Sequence, residues 1–462
     1  MDNSLHALSP YDGRYAKLGE ELAPWFSEAG LIQARVIIEI QYLMALSRIH
    51  VIRTLTVKEK QLLSQYTHLN DASLEKVKKF EKTTNHDVQA VVVFLREEFS
   101  KTSLADSAEY IHFGLTSEDV NNLSWRLNLV SARDSKLIPI IDGLTHQLAI
   151  LAEKYKALSM LARTHGQPAI PTTFGKELIN VVIRLYQQRK KLVSHKFFGK
   201  SNGAVGNYTA LSYSYPSIDW ISFSDTFIKS LGLEATHFTT QVNPNDDIIE
   251  YLQIVERMNI ILHSFASDMW RYISDDLIIQ KPTGVGSSTM PQKINPIHFE
   301  HSEGVTEIAN GLIGVLVTRL GESRLQRDLS DTPLFRFLGE IHATTIDALQ
   351  RITYLLSRIY PNEVVMHTQL WHNWVILAEP LQLILRKAGV KDGYAVVKKY
   401  TQGKKFDETS WKKLLDNIVH EYDISDKNIS VQLQQLSPDT YLGKAANLVD
   451  LGLKELQKKD GH

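Results

Sequence analysis

A run of roughly 40 residues with helical periodicity is the feature that most constrains the fold, because ordinary globular helices are much shorter. The run extends from Thr116 to about Lys156 and contains Pro139, with apolar residues at helical spacing on both sides. A proline flanked in this way kinks a helix rather than ending it. The length of the run therefore predicts a bundle of long helices.

Helical patterns cover most of the remaining chain, and no alternating strand pattern has comparable length. The helical spacing predicts further helices at residues 27–49, 72–100, 172–199, 245–280, 296–320 and 336–360. Short hairpins are expected near residues 200–215 and 234–243. We predict an all-α protein of three domains: an N-terminal helical domain (1–111), a central long-helix bundle (112–364) and a C-terminal helical domain (365–462).

The overall charge favours no nucleic acid or membrane partner. Lysine plus arginine (51) nearly equals aspartate plus glutamate (52), so any anion site has to be local. The chain has no cysteine, which excludes disulfides, thiolate metal sites and a cysteine nucleophile. The N-terminus lacks the basic and apolar regions of a signal peptide, and we find no stretch of roughly 18 to 20 apolar residues that would span a bilayer. We expect a cytoplasmic protein.

The segment from Gly284 to Glu300 carries the densest set of candidate chemical groups. Two glycines give its backbone conformational freedom, and the adjacent hydroxyls Ser287 and Ser288 precede Lys293 and Asn295. Such a loop suits an enzyme that handles carboxylates, with a hydroxyl facing the proton to be removed and the lysine facing the charge left behind. For any single residue here, an ordinary surface turn is the simpler interpretation.

Two shorter segments near the N-terminus give weaker signals. Arg14 and Tyr15 follow a turn rich in proline, aspartate and glycine, which indicates either a surface turn or an anion clamp. Asn85, His86 and Asp87 lie within a predicted helix, where a lone histidine is more often packed or solvated than catalytic.

Three later segments complete the set of candidates. Thr116 and Asp119 have the capping-box spacing expected at a helix start. His165 lies in a turn between two predicted helices, and a positioned histidine can donate a proton at neutral pH. Residues 324–336 place three arginines and a hydroxyl between two long helices, as either a solvated loop or an anion-binding loop.

These segments together resemble a known family. The string Gly-Ser-Ser-Thr-Met-Pro-Gln-Lys-Ile-Asn resembles the signature of the fumarase/aspartase superfamily. Ser-Pro-Tyr-Asp-Gly-Arg-Tyr, Lys-Thr-Thr-Asn-His-Asp-Val, His-Phe-Gly-Leu-Thr-Ser-Glu-Asp and Arg-Thr-His-Gly-Gln-Pro-Ala are similar to segments of the adenylosuccinate lyase family, closest to its longer bacterial type. The resemblance runs nearly from end to end.

The resemblance implies a β-elimination that needs no metal or other cofactor. Adenylosuccinate would give AMP and fumarate in purine biosynthesis, and the same site would cleave succinyl-aminoimidazole-carboxamide ribotide. The implied fold is a central bundle of five long helices that assembles into a homotetramer, with each site built from three subunits.

The resemblance also implies roles for particular residues. Ser287 would be the base, Lys293 and Asn295 would stabilise the carbanion, and His165 would protonate the leaving nitrogen while Glu300 orients its ring. The remaining contacts would divide between the succinyl group (Thr116, Ser117, Gln241, Ser288), the phosphate (Arg14, Tyr15, Arg327, Thr332, Arg336) and nearby parts of the ligand (Asn85, His86, Asp87, His301).

Two positions depart from the expected pattern and two alternatives remain open. Gln292 stands where the family often has histidine or tyrosine, and His301 where it has other residues. The first alternative is another lyase of the superfamily, such as argininosuccinate lyase, although its substrate carries no phosphate for the arginines to bind. The second is a structural protein on the same scaffold, which would not need Ser287, His165 and Lys293.

Overall fold

The computed structural model of the protein describes residues 3–282 and 289–458, which are built mainly of α-helices. The first helices are α1 (Ala16–Phe26), α2 (Glu28–Arg48), α3 (Val57–Gln65), α4 (Asp71–Thr84) and α5 (Asp87–Ser100). The single helix expected at 72–100 is wrong, because Asn85 adopts a left-handed conformation (φ 50°) that ends α4. A new helix then begins after His86, whose ring nitrogen accepts a hydrogen bond from the Gln89 amide.

The long run contains a wide helical turn just before its proline. It consists of α6 (Ser117–Ala132), a π-helical turn (Arg133–Leu137) and α7 (Ile138–Lys154). In the π turn the amide of Ile138 donates to the carbonyl of Arg133, five residues back. Such turns interrupt the regular helical hydrogen-bond ladder. The helix therefore continues past Pro139, as the sequence predicted, instead of ending there.

The next part of the chain contains short strands as well as helices. Its elements are β1 (Ser159–Thr164), β2 (Gln167–Thr173), α8 (Phe174–Ser194), β3 (Phe198–Gly199), α9 (Thr209–Ser214), α10 (Trp220–Ser230), β4 (Glu234–Ala235) and α11 (Asp246–Ser274). Strands β1 and β2 form an antiparallel hairpin, whereas β3 pairs with β4 in parallel. The hairpins expected near 200–215 and 234–243 are therefore wrong, since α9 and α10 separate two strands of only two residues each.

The following elements complete the set of long helices. They are β5 (Ile278–Gln280), α12 (Ile297–Leu320), α13 (Thr332–Phe335), α14 (Leu338–Leu356) and β6 (Ile359–Pro361). Strand β5 pairs with β6 in an antiparallel arrangement. The five long helices expected for the bundle are present: α6 continued by α7, α8, α11, α12 and α14. The all-α prediction is confirmed.

The C-terminal helices, except the last of them, contribute side chains to one compact apolar core. They are α15 (Glu363–Trp371), α16 (Ala378–Lys387), α17 (Gly393–Thr401), α18 (Glu408–Glu421), α19 (Lys427–Gln434) and α20 (Ala445–Gln457). Trp374 and Trp411 are almost completely buried in this core. Large aromatic side chains contribute much of the burial that stabilises short helices.

The chain divides into two compact units. The first comprises Met1–Ile140, Gln188–Ile260 and Gly304–Ala348, and the second comprises Ile141–Gln187, Ile261–Glu303 and Leu349–His462. The division into three domains at 111 and 364 stays a prediction.

The first unit contains two buried ion pairs that fix the start of α6 and its middle. Lys200 lies 3.0 Å from Asp119, and both side chains are fully buried. Arg126 binds both carboxylate oxygens of Asp247, at 2.8 and 2.7 Å, also in the interior. Paired charges of this kind are tolerated only when further hydrogen bonds satisfy them, and the amides of Asn202 and Phe198 bind the two carboxylates.

Among the residues that the structure describes, one helical stretch satisfies the length and hydropathy criteria for a membrane span, namely Ala16–Arg48. Two separate helices form it, because Ser27 between them is extended (ψ 167°). Within the fold, 72% of the apolar window is buried, so its side chains are part of a protein core.

Replacement of Lys200 by methionine tests the importance of the buried pair with Asp119. The variant leaves a buried carboxylate without its cation, and we expect it to lose about 3 to 5 kcal/mol of unfolding free energy. Urea denaturation followed by circular dichroism measures the loss. Lys229→Met is the control, since Lys229 is exposed and 4.0 Å from Asp225, and its effect should stay below about 0.5 kcal/mol. Equal effects in the two variants would contradict the prediction.

Candidate active site

The start of α6 is held by the carboxylate of Asp119. That carboxylate accepts hydrogen bonds from the amides of Thr116 (2.9 Å), Asn202 (3.1 Å) and Gly203 (3.1 Å). The predicted capping contact between Thr116 and Asp119 is thus present. Because Asp119 also binds the amides of a distant loop, it fixes the position of the helix N-terminus as well as capping it.

Lys200 connects this helix start to a third segment, which carries Gln241. Its ammonium group donates to the carbonyl oxygens of Gly203 (3.0 Å) and Thr240 (3.5 Å). Thr240 directly precedes Gln241. The buried pair therefore brings two loops to the N-terminus of α6, where Thr116 and Ser117 lie.

His86 joins the same region from the break between α4 and α5. Its Nδ1 accepts from the Gln89 amide at 3.3 Å, so Nε2 carries the ring proton when the ring is neutral. This Nε2 lies 3.3 Å from the hydroxyl oxygen of Ser117. Two residues predicted to contact the ligand, His86 and Ser117, thus lie together in the structure.

Asp87 is held by a buried arginine that the sequence had not indicated. Arg35, only 2% exposed, forms an ion pair with Asp87 and donates from Nε to Asn121 at 2.9 Å. Burial opposes ionisation of Asp87, but Arg35 and the Val88 amide outweigh it and lower the pKa of Asp87. The carboxylate therefore stays negative, 4.0 Å from Arg336.

Arg327 lies between two carboxylates. Its guanidinium group is 3.4 Å from Glu118 and 3.0 Å from Asp331, and Thr332 donates to Asp331 at 3.2 Å. Burial raises the pKa of Glu118 to about 7, although Arg327 opposes the shift.

These charged residues form one group, which we call the anion cluster. It comprises three arginines and four carboxylates: Arg35, Arg327, Arg336, Glu28, Asp87, Glu118 and Asp331. Thr332 shares a small cavity with Arg35, Glu118 and Arg336. The cluster contains Asp87, Arg327 and Arg336 of the predicted ligand-binding residues.

Arg14 and Tyr15 lie on a turn near this cluster. The amide of Tyr15 donates to the carbonyl of Pro10 at 2.8 Å, and its ring lies 5.7 Å from that of Tyr11. Residues on both sides of the pair, Asp12 and Ala16, line a cavity of about 420 Å³ together with Arg336. Arg14 itself is exposed.

His165 occupies the tip of the β1–β2 hairpin in the second unit. His165 (φ 53°) and Gly166 (φ 74°) are both left-handed, as a two-residue hairpin turn requires. The side chain is exposed, and among the described residues no polar group lies within hydrogen-bond distance of its ring. Its neighbours Arg163 and Gly166 line a cavity of about 600 Å³.

The residues around the start of α12 lie mostly at the surface of the second unit. Lys293 is exposed, and its amide donates to Met290 at 3.1 Å. Glu300 accepts a hydrogen bond of 3.0 Å from the indole of Trp270, which lines the same cavity as Gly166. Asn295 and His301 are half-buried.

Part of the predicted catalytic set is not seen in contact. No hydrogen bond between Glu300 and His165 occurs within the described part of one chain, and their pairing stays a prediction. Ser287 and Ser288 lie outside the described residues.

Three contributing residues were missed from the sequence: Arg35, Glu118 and Trp270. Two of them gave a signal in the sequence: Arg35 lies inside the apolar helix α2, and Glu118 directly follows Thr116 and Ser117. A charged residue in such a position needs a partner when it is buried. Trp270 gave no signal, because its contact with Glu300 depends on the fold.

Comparisons with known proteins agree along almost the whole chain. Residues 18–311 match the lyase family, and residues 323–442 match the adenylosuccinate lyase C-terminal family. The chain is 40% identical to adenylosuccinate lyase of Haemophilus influenzae, over 97% of this chain and 99% of that protein. It is 38% identical to adenylosuccinate lyase of Escherichia coli, with the same coverage.

Solved structures share the fold at low sequence identity. The fumarate lyase from Mesorhizobium sp. BNC1 superimposes with a TM-score of 0.75 at 17% identity, covering 94% of this chain and 97% of that one. The 3-carboxy-cis,cis-muconate lactonizing enzyme from Pseudomonas putida gives 0.75 at 19% identity, covering 95% and 97%.

His112, shortly before the start of α6, is expected to make the stability of the fold depend on pH. Burial opposes charging of His112, but Glu39, 2.6 Å from its Nδ1, outweighs it and raises the pKa of His112 above its ordinary value of 6.5. The pair therefore stabilises the fold fully below pH 6.5, and this contribution is lost as pH rises through the raised pKa.

Denaturation of wild type and His112→Gln at about pH 6 and pH 9 tests the sign of this linkage. We expect the variant to lose more unfolding free energy at the lower pH. His146→Gln, at an exposed histidine, should show no such difference. A larger loss for His112→Gln at the higher pH would contradict the assignment.

Proposed function

The chain belongs to the adenylosuccinate lyase family, and we propose that it cleaves adenylosuccinate to AMP and fumarate. Identity of 40% across 97% of the chain supports this substrate. The same chemistry applies to succinyl-aminoimidazole-carboxamide ribotide, which also joins a succinyl-amino group to a phosphorylated ribose. We propose it as the second substrate.

The observation that carries the proposal is the anion cluster. Arg327, Arg336 and Thr332 offer two guanidinium groups and a hydroxyl within a small part of the first unit. Guanidinium groups suit the paired oxygens of a phosphate. Argininosuccinate carries no phosphate, so this arrangement favours a nucleotide substrate over the alternative lyase.

We assign the elimination to four residues. Ser287 removes the proton next to the carboxylate, which requires an environment that stabilises its alkoxide. Lys293 and Asn295 stabilise the negative charge that develops on the carboxylate. His165 donates a proton to the departing nitrogen, since a histidine titrates close to neutral pH. The bond from carbon to nitrogen then breaks and fumarate is released.

We further propose that the protein is a cytoplasmic homotetramer with sites shared between subunits. Exposed apolar side chains on the long helices support association, namely Ile260, Ile308 and Val315. An apolar stripe on a long helix is stable only when another surface covers it. The absence of cysteine fits a reducing compartment.

Incubation with adenylosuccinate, without added metal or cofactor, tests the reaction. We expect the ultraviolet spectrum to change as AMP forms, with release of an equal amount of fumarate. Arg336→Met removes a charged hydrogen bond to phosphate and should raise KM about 10- to 100-fold. Cleavage of argininosuccinate instead would favour the alternative lyase, and inactivity on both would favour a structural protein.

The mechanism and the shared site are tested with two variants. Ser287→Ala should abolish turnover and still bind AMP, because the hydroxyl acts only in proton removal. His165→Ala should also be inactive with its assembly unchanged in size-exclusion chromatography. If the two residues of one site come from different subunits, mixed oligomers of these variants regain part of the activity. Near-normal turnover by Ser287→Ala would exclude Ser287 as the base.

A further inference from the structure

Glu118 lies at the inner side of the anion cluster, although the proposed reaction gives it no role. Its residue is 8% exposed, and its Oε2 lies 3.4 Å from the Nη2 of Arg327. It also lines the small cavity that Thr332 and Arg336 share. Glu118 therefore contacts the groups proposed to hold the phosphate.

Each arginine of the cluster is already paired with a carboxylate, although the site is proposed to receive an anion. Its three arginines face four carboxylates, of which Glu28 also lies 3.5 Å from Lys78, and a phosphate monoester adds almost two more negative charges above pH 7. The cavity measures about 20 Å³, which is room for roughly one water molecule. A phosphate group therefore binds only if it replaces carboxylate contacts of the arginines.

One guanidinium nitrogen already lacks a partner in this cavity wall. Nη1 of Arg35 is buried with no hydrogen-bond acceptor among the described residues, while Nε and Nη2 bind Asn121 and Asp87. An unpaired buried donor is costly unless a water or ligand reaches it. One unpaired donor is thus present before an anion arrives, whereas Arg327 and Arg336 are occupied by carboxylates.

Glu118 is the carboxylate best placed to lose its charge. It faces Arg327 and Asp331 from the loop after α12, and the more distant Lys200 and Arg126. Those two cations are occupied by Asp119 and Asp247. Burial raises the pKa of Glu118 to about 7, whereas Arg35 lowers the pKa of Asp87.

We propose that Glu118 is a positioning residue of the phosphate site and takes up one proton from solvent when a dianionic phosphate monoester binds beside Arg327. The neutral carboxyl group releases the guanidinium to the phosphate and can itself donate a hydrogen bond. This inference rests on the proposed function, because it takes Arg327 as a phosphate ligand.

Proton uptake by Glu118 determines how the affinity for phosphate changes with pH. Above pH 7 the free protein carries ionised Glu118 and must take up a proton to bind, so affinity for the phosphate falls as pH rises. The fall approaches about tenfold per pH unit where proton uptake is complete. The second ionisation of a phosphate monoester, near pH 6, lies below this window and does not contribute.

The first test is the pH dependence of KM for adenylosuccinate between about pH 7 and pH 9. We expect KM of the wild type to rise with pH and KM of Glu118→Gln to stay level, because glutamine binds no proton. Glu322→Gln, at an exposed carboxylate paired with Arg319, should keep the wild-type slope. A wild-type slope in Glu118→Gln would overturn the proposal.

The second test counts protons on the unaltered protein. Calorimetric titration with AMP near pH 7.5, in buffers of different ionisation enthalpy, should show net proton uptake. Adenosine, which lacks the phosphate, should show none. No uptake with AMP, or equal uptake with adenosine, would overturn the proposal.

The two tests separate this inference from the proposed function. Turnover of adenylosuccinate without proton uptake on AMP binding would remove the role of Glu118 and leave the lyase assignment intact. Proton uptake with AMP in a protein that cleaves no adenylosuccinate would support the role of Glu118 and contradict the lyase assignment.

Discussion

The buried pair of Asp119 and Lys200 is the interaction on which the predicted ligand-binding part of the first unit depends. Asp119 caps α6 and binds two amides of the loop after β3, while Lys200 reaches the carbonyl next to Gln241. A single ion pair thus positions three segments that are far apart in sequence. Replacing a buried ion pair by apolar residues often leaves stability unchanged, so positioning explains its presence better than stabilisation does.

The anion cluster shows how arginines can be held in place without a ligand. Arg336 binds Glu28 and approaches Asp87, and Arg327 lies between Glu118 and Asp331. Ordering a long cationic side chain costs conformational entropy. Here the ion pairs with the carboxylates order the arginines before any substrate binds. The same carboxylates would then compete with the phosphate that we propose to bind here. An acid that can become neutral, as we propose for Glu118, avoids this competition. It orders Arg327 while it is charged, and it no longer holds the guanidinium group once it is protonated.

Local patterns were enough to predict the long helices, and the resemblance supplied the candidate residues, whereas contacts between distant segments were not predictable. The run after Thr116 was recognised because apolar spacing continues on both sides of Pro139. The break at Asn85 was missed because helix-forming residues continue on both sides and the left-handed residue is fixed by the fold. The β1–β2 hairpin was also missed, since Pro168 and Pro171 are unusual in strands. Arg35 was missed because only the structure shows that its partner is Asp87.

The exposure of the predicted catalytic groups has a chemical consequence. His165, Lys293 and Glu300 all lie at the surface of the second unit, where water weakens the interaction between charges to about 1 kcal/mol at 4 Å. A lysine in that environment stabilises a carbanion poorly, and an exposed histidine exchanges its proton with solvent. Efficient elimination requires the same groups in a site from which water is excluded. A single chain with these surfaces uncovered would therefore be a poor catalyst, which is why we attribute activity to an assembly in which another subunit covers them.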